Sequence, residues 1–211
     1  MMSQVAAIFD VDRTLVNGYT ERLFFRHLLA SGLLSGRSAL AFLARLALHP
    51  GGRFQDKSYL AGLQVEGVRH LAAECFRQRI LPRLSGPGLA CLRKHRASGH
   101  RIILLTGSLG LLLRPLQGLA GAEWLIATEL QENGGRFTGE IRGLHPRGPN
   151  KARLVTDLAQ RHRLDLSRSF AYGDHLADIP LFESVGHPAV VNPCRRLSFL
   201  ARERSWPVLY F

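Results

Sequence analysis

Apolar residues follow two rhythms along the chain. Short continuous runs at 5–9, 101–105, 123–128, 169–172, 189–191 and 208–210 predict strands, the first of them buried. An unbroken apolar run suits a strand covered on both faces. Between these runs, apolar positions recur every three or four residues. That spacing predicts helices at 20–30, 38–48, 65–81, 86–98, 109–119, 149–163 and 195–204, with a short one leading toward Ser184. Gly99 ends the fourth helix, Pro115 limits or kinks the fifth, and Pro149 sits near the start of the sixth. Asn133-Gly134-Gly135 signals a hairpin within 130–141. Strands alternating with helices predict an open α/β sheet, mostly parallel. The stretch 18–81 has no convincing strand and reads as a helical insertion after the first strand, packed on the core.

Composition narrows the class. A length of 211 residues, 46% of them hydrophobic and 21% charged, describes a globular chain with ample core. Cys75, Cys91 and Cys194 are an odd, widely spaced set without metal-ligand spacing, which predicts reduced thiols in a cytosolic protein. The opening MMSQVAAIFDVD lacks the basic and apolar regions of a signal peptide. The apolar stretch 28–48 carries Arg37 and Arg45, and 102–113 is too short for a bilayer, which needs about 20 residues. A net charge of +12 comes from 25 arginines against three lysines and favours an anionic partner. The arginines are scattered, and no aromatic residues interleave them as a stacking platform would require. Solvated helix faces therefore explain them better than a nucleic-acid surface does.

Chemistry is concentrated in the aspartates. Four of seven stand in two clusters, Asp10-Val11-Asp12 and Asp174-His175-Leu176-Ala177-Asp178, each directly after an apolar strand. A carboxylate at such a position gains little unless a cation or a proton is handled there. In open α/β sheets ligands bind beyond the carboxyl ends of the strands. Thr106-Gly107-Ser108 and Lys151 map to the same edge. A carboxylate can attack phosphorus, and a second can protonate the leaving oxygen. Threonine and lysine can hold phosphoryl oxygens, and magnesium suits carboxylates, waters and substrate oxygens. Lys151 in a first helical turn opposes the helix dipole, which points to a function beyond solvation.

The ordered segments FDVDRTL, LLTGS, GPNKARLV and YGDHLADIPLF resemble the haloacid dehalogenase superfamily of phosphohydrolases, over nearly the whole chain. The helical stretch resembles the small cap of its phosphoserine-phosphatase-like branch. The resemblance implies a Rossmann-like core of residues 1–17 and 82–211 with a cap of 18–81. It implies a magnesium-dependent phosphomonoesterase acting on a small phosphorylated metabolite through an aspartyl-phosphate. Asp10 would be the nucleophile. Asp12 would be the general acid and base, its backbone carbonyl binding magnesium. Thr106 and the Gly107 backbone would bind the phosphoryl group, and Lys151 would neutralise charge. Asp174 would ligate the metal, and Asp178 would support the metal site or orient Lys151.

Departures bear on the substrate. Tyr19 stands where phosphoserine phosphatases carry a glutamate, with Glu21 close by, and Ala177 and His175 replace commoner residues. Arg13, Arg53, Lys57 and Tyr59 are candidates for the leaving group or, equally, surface residues, and Gly51-Gly52 is a candidate hinge. A phosphotransferase, a lipid-phosphate phosphatase and a non-catalytic phosphate or nucleic-acid binder stay open as alternatives.

Overall fold

The computed structural model describes residues 4–34, 40, 42, 44, 48 and 56–211. The predicted helix 38–48, Arg53 and the Gly51-Gly52 hinge lie largely or wholly outside the described residues.

Alternation within the first strand builds both sides of the molecule. In β1 (Ala6–Phe9), Ala7 and Phe9 enter one apolar cluster while Ala6 and Ile8 enter another. In β2 (Arg101–Leu109), Ile102 and Leu104 join the first and Ile103 and Leu105 the second. Successive side chains of a strand point to opposite faces, so the sheet is covered twice. The first face carries α1 (Thr20–Ala30), α2 (Val65–Cys75), α3 (Gly86–Ala97) and α4 (Gly110–Ala120), through residues such as Phe24, Val68, Leu92 and Leu113. Val155 and Leu158 of α5 (Pro149–His162), Leu181 of α6 (Ile179–Phe182) and Leu197 of α7 (Arg195–Glu203) cover the second.

The remaining strands are β3 (Trp124–Asn133), β4 (Arg136–Arg142), β5 (Phe170–Gly173), β6 (His187–Val191) and β7 (Val208–Leu209). The seven-stranded order is β4-β3-β2-β1-β5-β6-β7, with only the β3–β4 pair antiparallel. The chain builds outward from β1 through β2 and β3, then returns to lay β5 on the other side of β1. That reversal makes the carboxyl end of β1 the switch point of the sheet.

Four elements depart from expectation. β2 continues past Leu105 to Leu109 across a register shift, which carries Thr106, Gly107 and Ser108 on extended backbone. β3 is one long strand where a strand and a separate hairpin arm were predicted, because buried Thr128 and Leu130 extend its inward alternation. Pro115 does not end α4, whose buried Leu112, Leu113, Leu116 and Ala120 offset the one backbone bond that proline forgoes. The predicted long helix at 65–81 gives way after Cys75 to a wider turn, Phe76–Ile80, ahead of Pro82.

Near the insertion, backbone pairing ties the segment to the hairpin. Gly62 and Val65 donate to the Phe137 and Gly135 carbonyls at 2.8 and 2.9 Å, and Phe137 donates to Leu63 at 3.0 Å. Among the described residues, no helix is long and apolar enough to cross a membrane. Cys75, Cys91 and Cys194 form no disulfide.

Candidate active site

Beyond β1 the chain turns sharply. The Val11 carbonyl accepts the N–H groups of Thr14, Leu15 and Val16 at 3.2, 2.9 and 2.9 Å, and Arg13 takes a left-handed φ of 62°. The Asp10 N–H still donates to Tyr172 on β5 at 2.8 Å, so the turn is anchored to the neighbouring strand. Two carboxylates emerge in different surroundings. Asp12 accepts the Thr20 N–H on Oδ1 at 2.9 Å and the Ser108 hydroxyl on Oδ2 at 2.7 Å. Asp10 instead faces a full charge: Lys151 Nζ lies 2.6 Å from its Oδ1.

Lys151 reaches Asp10 from the first turn of α5, which Gly148 and Pro149 open. Its ammonium also lies 2.6 Å from Asp178 Oδ1. The two carboxylates offset the unfavourable dipole at this helix end. Asp178 is held in turn by the His175 N–H at 3.2 Å on Oδ2. Glycine is required directly beneath it: a Cβ on Gly173 would stand 2.7 Å from Asp178 Oδ2. Asp174 receives Arg13 Nε at 2.8 Å on Oδ2. Thr106 is 1% exposed, and its Oγ1 accepts the Ser108 N–H at 3.1 Å.

Burial governs the ionisation of these groups. It raises the Asp10 pKa well above the ordinary carboxylate value against the opposing pull of Lys151, with Asp178 and Asp174 adding to the rise. Burial also raises Asp12, partly offset by the hydrogen bonds from Ser108 and Thr20. Asp174 rises to about 6 through burial and neighbouring Asp178, with Arg13 and Lys151 opposing. For Lys151, burial disfavours the ammonium, but Asp10 and Asp178 outweigh it and hold its pKa above the usual lysine range. Carboxylates that resist ionisation beside one another are a ready receptor for a cation. Asp10, Asp174 and Asp178 offer oxygens all within 4.8 Å of one another, and this hard-oxygen set fits a divalent ion such as magnesium. The Asp12 carboxylate stands outside that set.

The sequence-predicted residues thus converge: Asp10, Asp12, Thr106, Gly107, Lys151, Asp174 and Asp178 share one strand edge. Residues 7–183 match the haloacid dehalogenase-like hydrolase family. The chain belongs to that family. A Streptomyces azureus protein named inhibition of morphological differentiation protein is 31% identical over 100% of this chain and 79% of its own. A Mycobacterium tuberculosis protein named phosphoserine phosphatase SerB1 is 31% identical over 98% of this chain and 70% of its own. A histidinol-phosphatase of Neisseria meningitidis is 28% identical over 97% and 98% of the two chains. A crystal structure of a Bordetella pertussis protein of unknown function superposes with a TM-score of 0.86, at 25% identity and 99% coverage of both chains. Within the family, the chain falls in the phosphoserine-phosphatase-like branch.

Several residues at this haloacid dehalogenase-like site have roles that sequence reasoning did not assign. Ser108 supports Asp12 from inside a motif whose threonine drew attention. Lys57 and Tyr59 are not surface residues: they are 2% and 5% exposed. Lys57 Nζ lies 2.7 and 2.8 Å from the two Glu21 oxygens, and Tyr59 donates to Glu21 at 2.9 Å. Both were candidates for the leaving group in the sequence; their burial and their shared partner Glu21 exclude the surface alternative. His145, buried against Gly107, carried no signal at all.

Proposed function

We propose that the protein hydrolyses phosphomonoesters of a small metabolite through an aspartyl-phosphate on Asp10, with magnesium bound. The observation that carries this reading is the division between two carboxylates two positions apart. Asp10 is paired with the Lys151 cation, whereas Asp12 is held by the neutral donors Ser108 and Thr20. Burial raises both carboxyls; the Lys151 cation, and magnesium when bound, would draw Asp10 back toward the ionised nucleophile, while a buried carboxyl with neutral partners can keep its proton.

In the first step an Asp10 oxygen bonds to phosphorus while the ester P–O bond breaks, and Asp12 gives its proton to the leaving oxygen. In the second, Asp12 takes a proton from water, the water oxygen bonds to phosphorus, and the Asp10–phosphorus bond breaks. Thr106 and the Gly107 backbone hold phosphoryl oxygens, and Lys151 offsets charge on Asp10 and on the transferred group. Asp10, Asp174, Asp178 and the Asp12 carbonyl would hold magnesium, which supplies positive charge against the phosphoryl oxygens. Residues 1–17 and 82–211 then form the catalytic core and 18–81 the cap that sets specificity. Three unbridged thiols support a cytoplasmic setting.

The test is phosphate release from an aryl phosphate, with and without magnesium. Turnover should require the metal, and Asp10→Asn should reduce it by on the order of 1,000-fold or more. Asp10→Asn turning over as fast as the native chain would sink the reading.

A further inference from the structure

Thr128 stands on β3, beside the end of β2 that carries Thr106 and Gly107. Its hydroxyl lies 2.7 Å from the Gly107 carbonyl and 2.8 Å from His145 Nδ1. A hydroxyl has one proton, and a carbonyl has none to give. Both contacts are hydrogen bonds only if Thr128 donates to Gly107 and accepts from Nδ1–H. The tautomer is thereby fixed, with the proton on Nδ1 and a lone pair on Nε2.

That lone pair is unclaimed. The His145 side chain makes its one hydrogen bond through Nδ1, and Nε2 has no partner among the described residues, although the residue is only 7% exposed. Nε2 is also not among the fully shielded polar atoms, so it keeps contact with open space. Burial, reinforced by the nearby cations Lys57, Arg147 and Lys151, lowers the ring pKa to about 4 and keeps it neutral at pH 7.

Its position is informative. A Cβ on Gly107 would stand 3.4 Å from His145 Cε1 and 3.7 Å from Nε2. The edge of the ring that carries the lone pair therefore faces the phosphoryl-binding loop. Lys57 of the segment 18–81 and Lys151 beside Asp10 both lie near enough to act on the ring's charge, so His145 stands between that segment and the Asp10 site.

We propose that His145 Nε2 accepts a hydrogen bond from the leaving group. The preferred substrates are then phosphomonoesters with an O–H or N–H donor close to the ester oxygen. This rests on the phosphatase reading above. Once a bound ester shuts water away from Nε2, an analogue without the donor leaves this acceptor desolvated and unsatisfied, which discriminates strongly against it.

The test compares 2-hydroxyethyl phosphate, 2-aminoethyl phosphate and propyl phosphate on the native chain and on His145→Asn. The asparagine amide can still donate to Thr128 but presents nothing at the Nε2 position. The variant should lose about tenfold in kcat/KM on whichever donor-bearing ester the native chain prefers, and less than about twofold on propyl phosphate. The preferred ester tells hydroxyl from ammonium. Equal losses on all three esters would make the ring purely structural, and no loss on any would place it beyond reach of the substrate. Either result overturns the inference while leaving the phosphatase reading intact. Nitrogen-15 spectra of the histidines at pH 7 give a readout independent of turnover. They should show His145 protonated on Nδ1, and protonation on Nε2 overturns the inference. A native chain that releases phosphate from the aryl ester but from none of these three would overturn this inference alone, and one inactive on all four would overturn the phosphatase reading with it.

Discussion

Lys151 is the residue on which the local charge balance turns. It is 5% exposed and serves two carboxylates at 2.6 Å each. Removing one partner of a buried ion pair leaves the others uncompensated, at a cost of about 3 kcal/mol or more. Lys151→Met should show that loss in urea unfolding without divalent ions. The variant's Tm should also rise more with added magnesium than the native chain's does, because a second cation then replaces the missing one. A variant as stable as the native chain without metal would mean that the carboxylates simply take up protons. Lys151 was legible in the sequence because it opens a helix where a cation is disfavoured. Ser108 and His145 were not, because their importance lies in partners 96 and 17 positions away that no spacing rule connects.

At the scale of elements, a polar seam crosses between α3, β2 and β5. His95 on α3 lies 2.7 Å through Nε2 from the Tyr172 hydroxyl and 2.8 Å through Nδ1 from His100 Nδ1. One nitrogen of that last pair must be bare, so the seam cannot take up a proton on both rings. Burial, with His100 beside it, lowers the His95 pKa to about 4. The sign of the effect follows. An unfolded histidine protonates near its ordinary value of about 6.5, before the folded one does. Stability from this group is complete above that value and is lost as pH falls from about 6.5 toward 4. Thermal unfolding across this window should show a falling Tm, and His95→Gln should make the slope shallower; an unchanged slope would assign the effect to other groups. Periodicity revealed the elements around this seam, because continuous apolar runs and 3.6-residue spacing reflect the two covered faces. It could not give the end of β2 or the length of β3, since both depend on pairing between strands rather than on local sequence.

At the scale of the whole molecule, the excess of +12 charge has its clearest use in encounter. A phosphomonoester dianion approaching a basic protein is drawn in over roughly 30 Å at 0.01 M salt but only about 8 Å at 0.15 M. The kcat/KM for such a substrate should therefore fall several-fold between those conditions, while kcat stays level. A flat salt profile would mean that the arginines serve surface solvation alone. The general architecture was readable from the alternation of strands and helices. The stretch 18–81 was harder, because Lys57 and Tyr59 look like surface residues until their burial against half-buried Glu21 is seen.

The order of the strands also dictates when the site comes into being. Asp10 follows the first strand, whereas Lys151 stands 141 residues later and Asp178 later still. During synthesis Asp10 leaves the ribosome long before the Lys151 cation that faces it exists. A chain stalled before residue 151 thus carries the Asp10 carboxylate without the cation that sits against it in the fold.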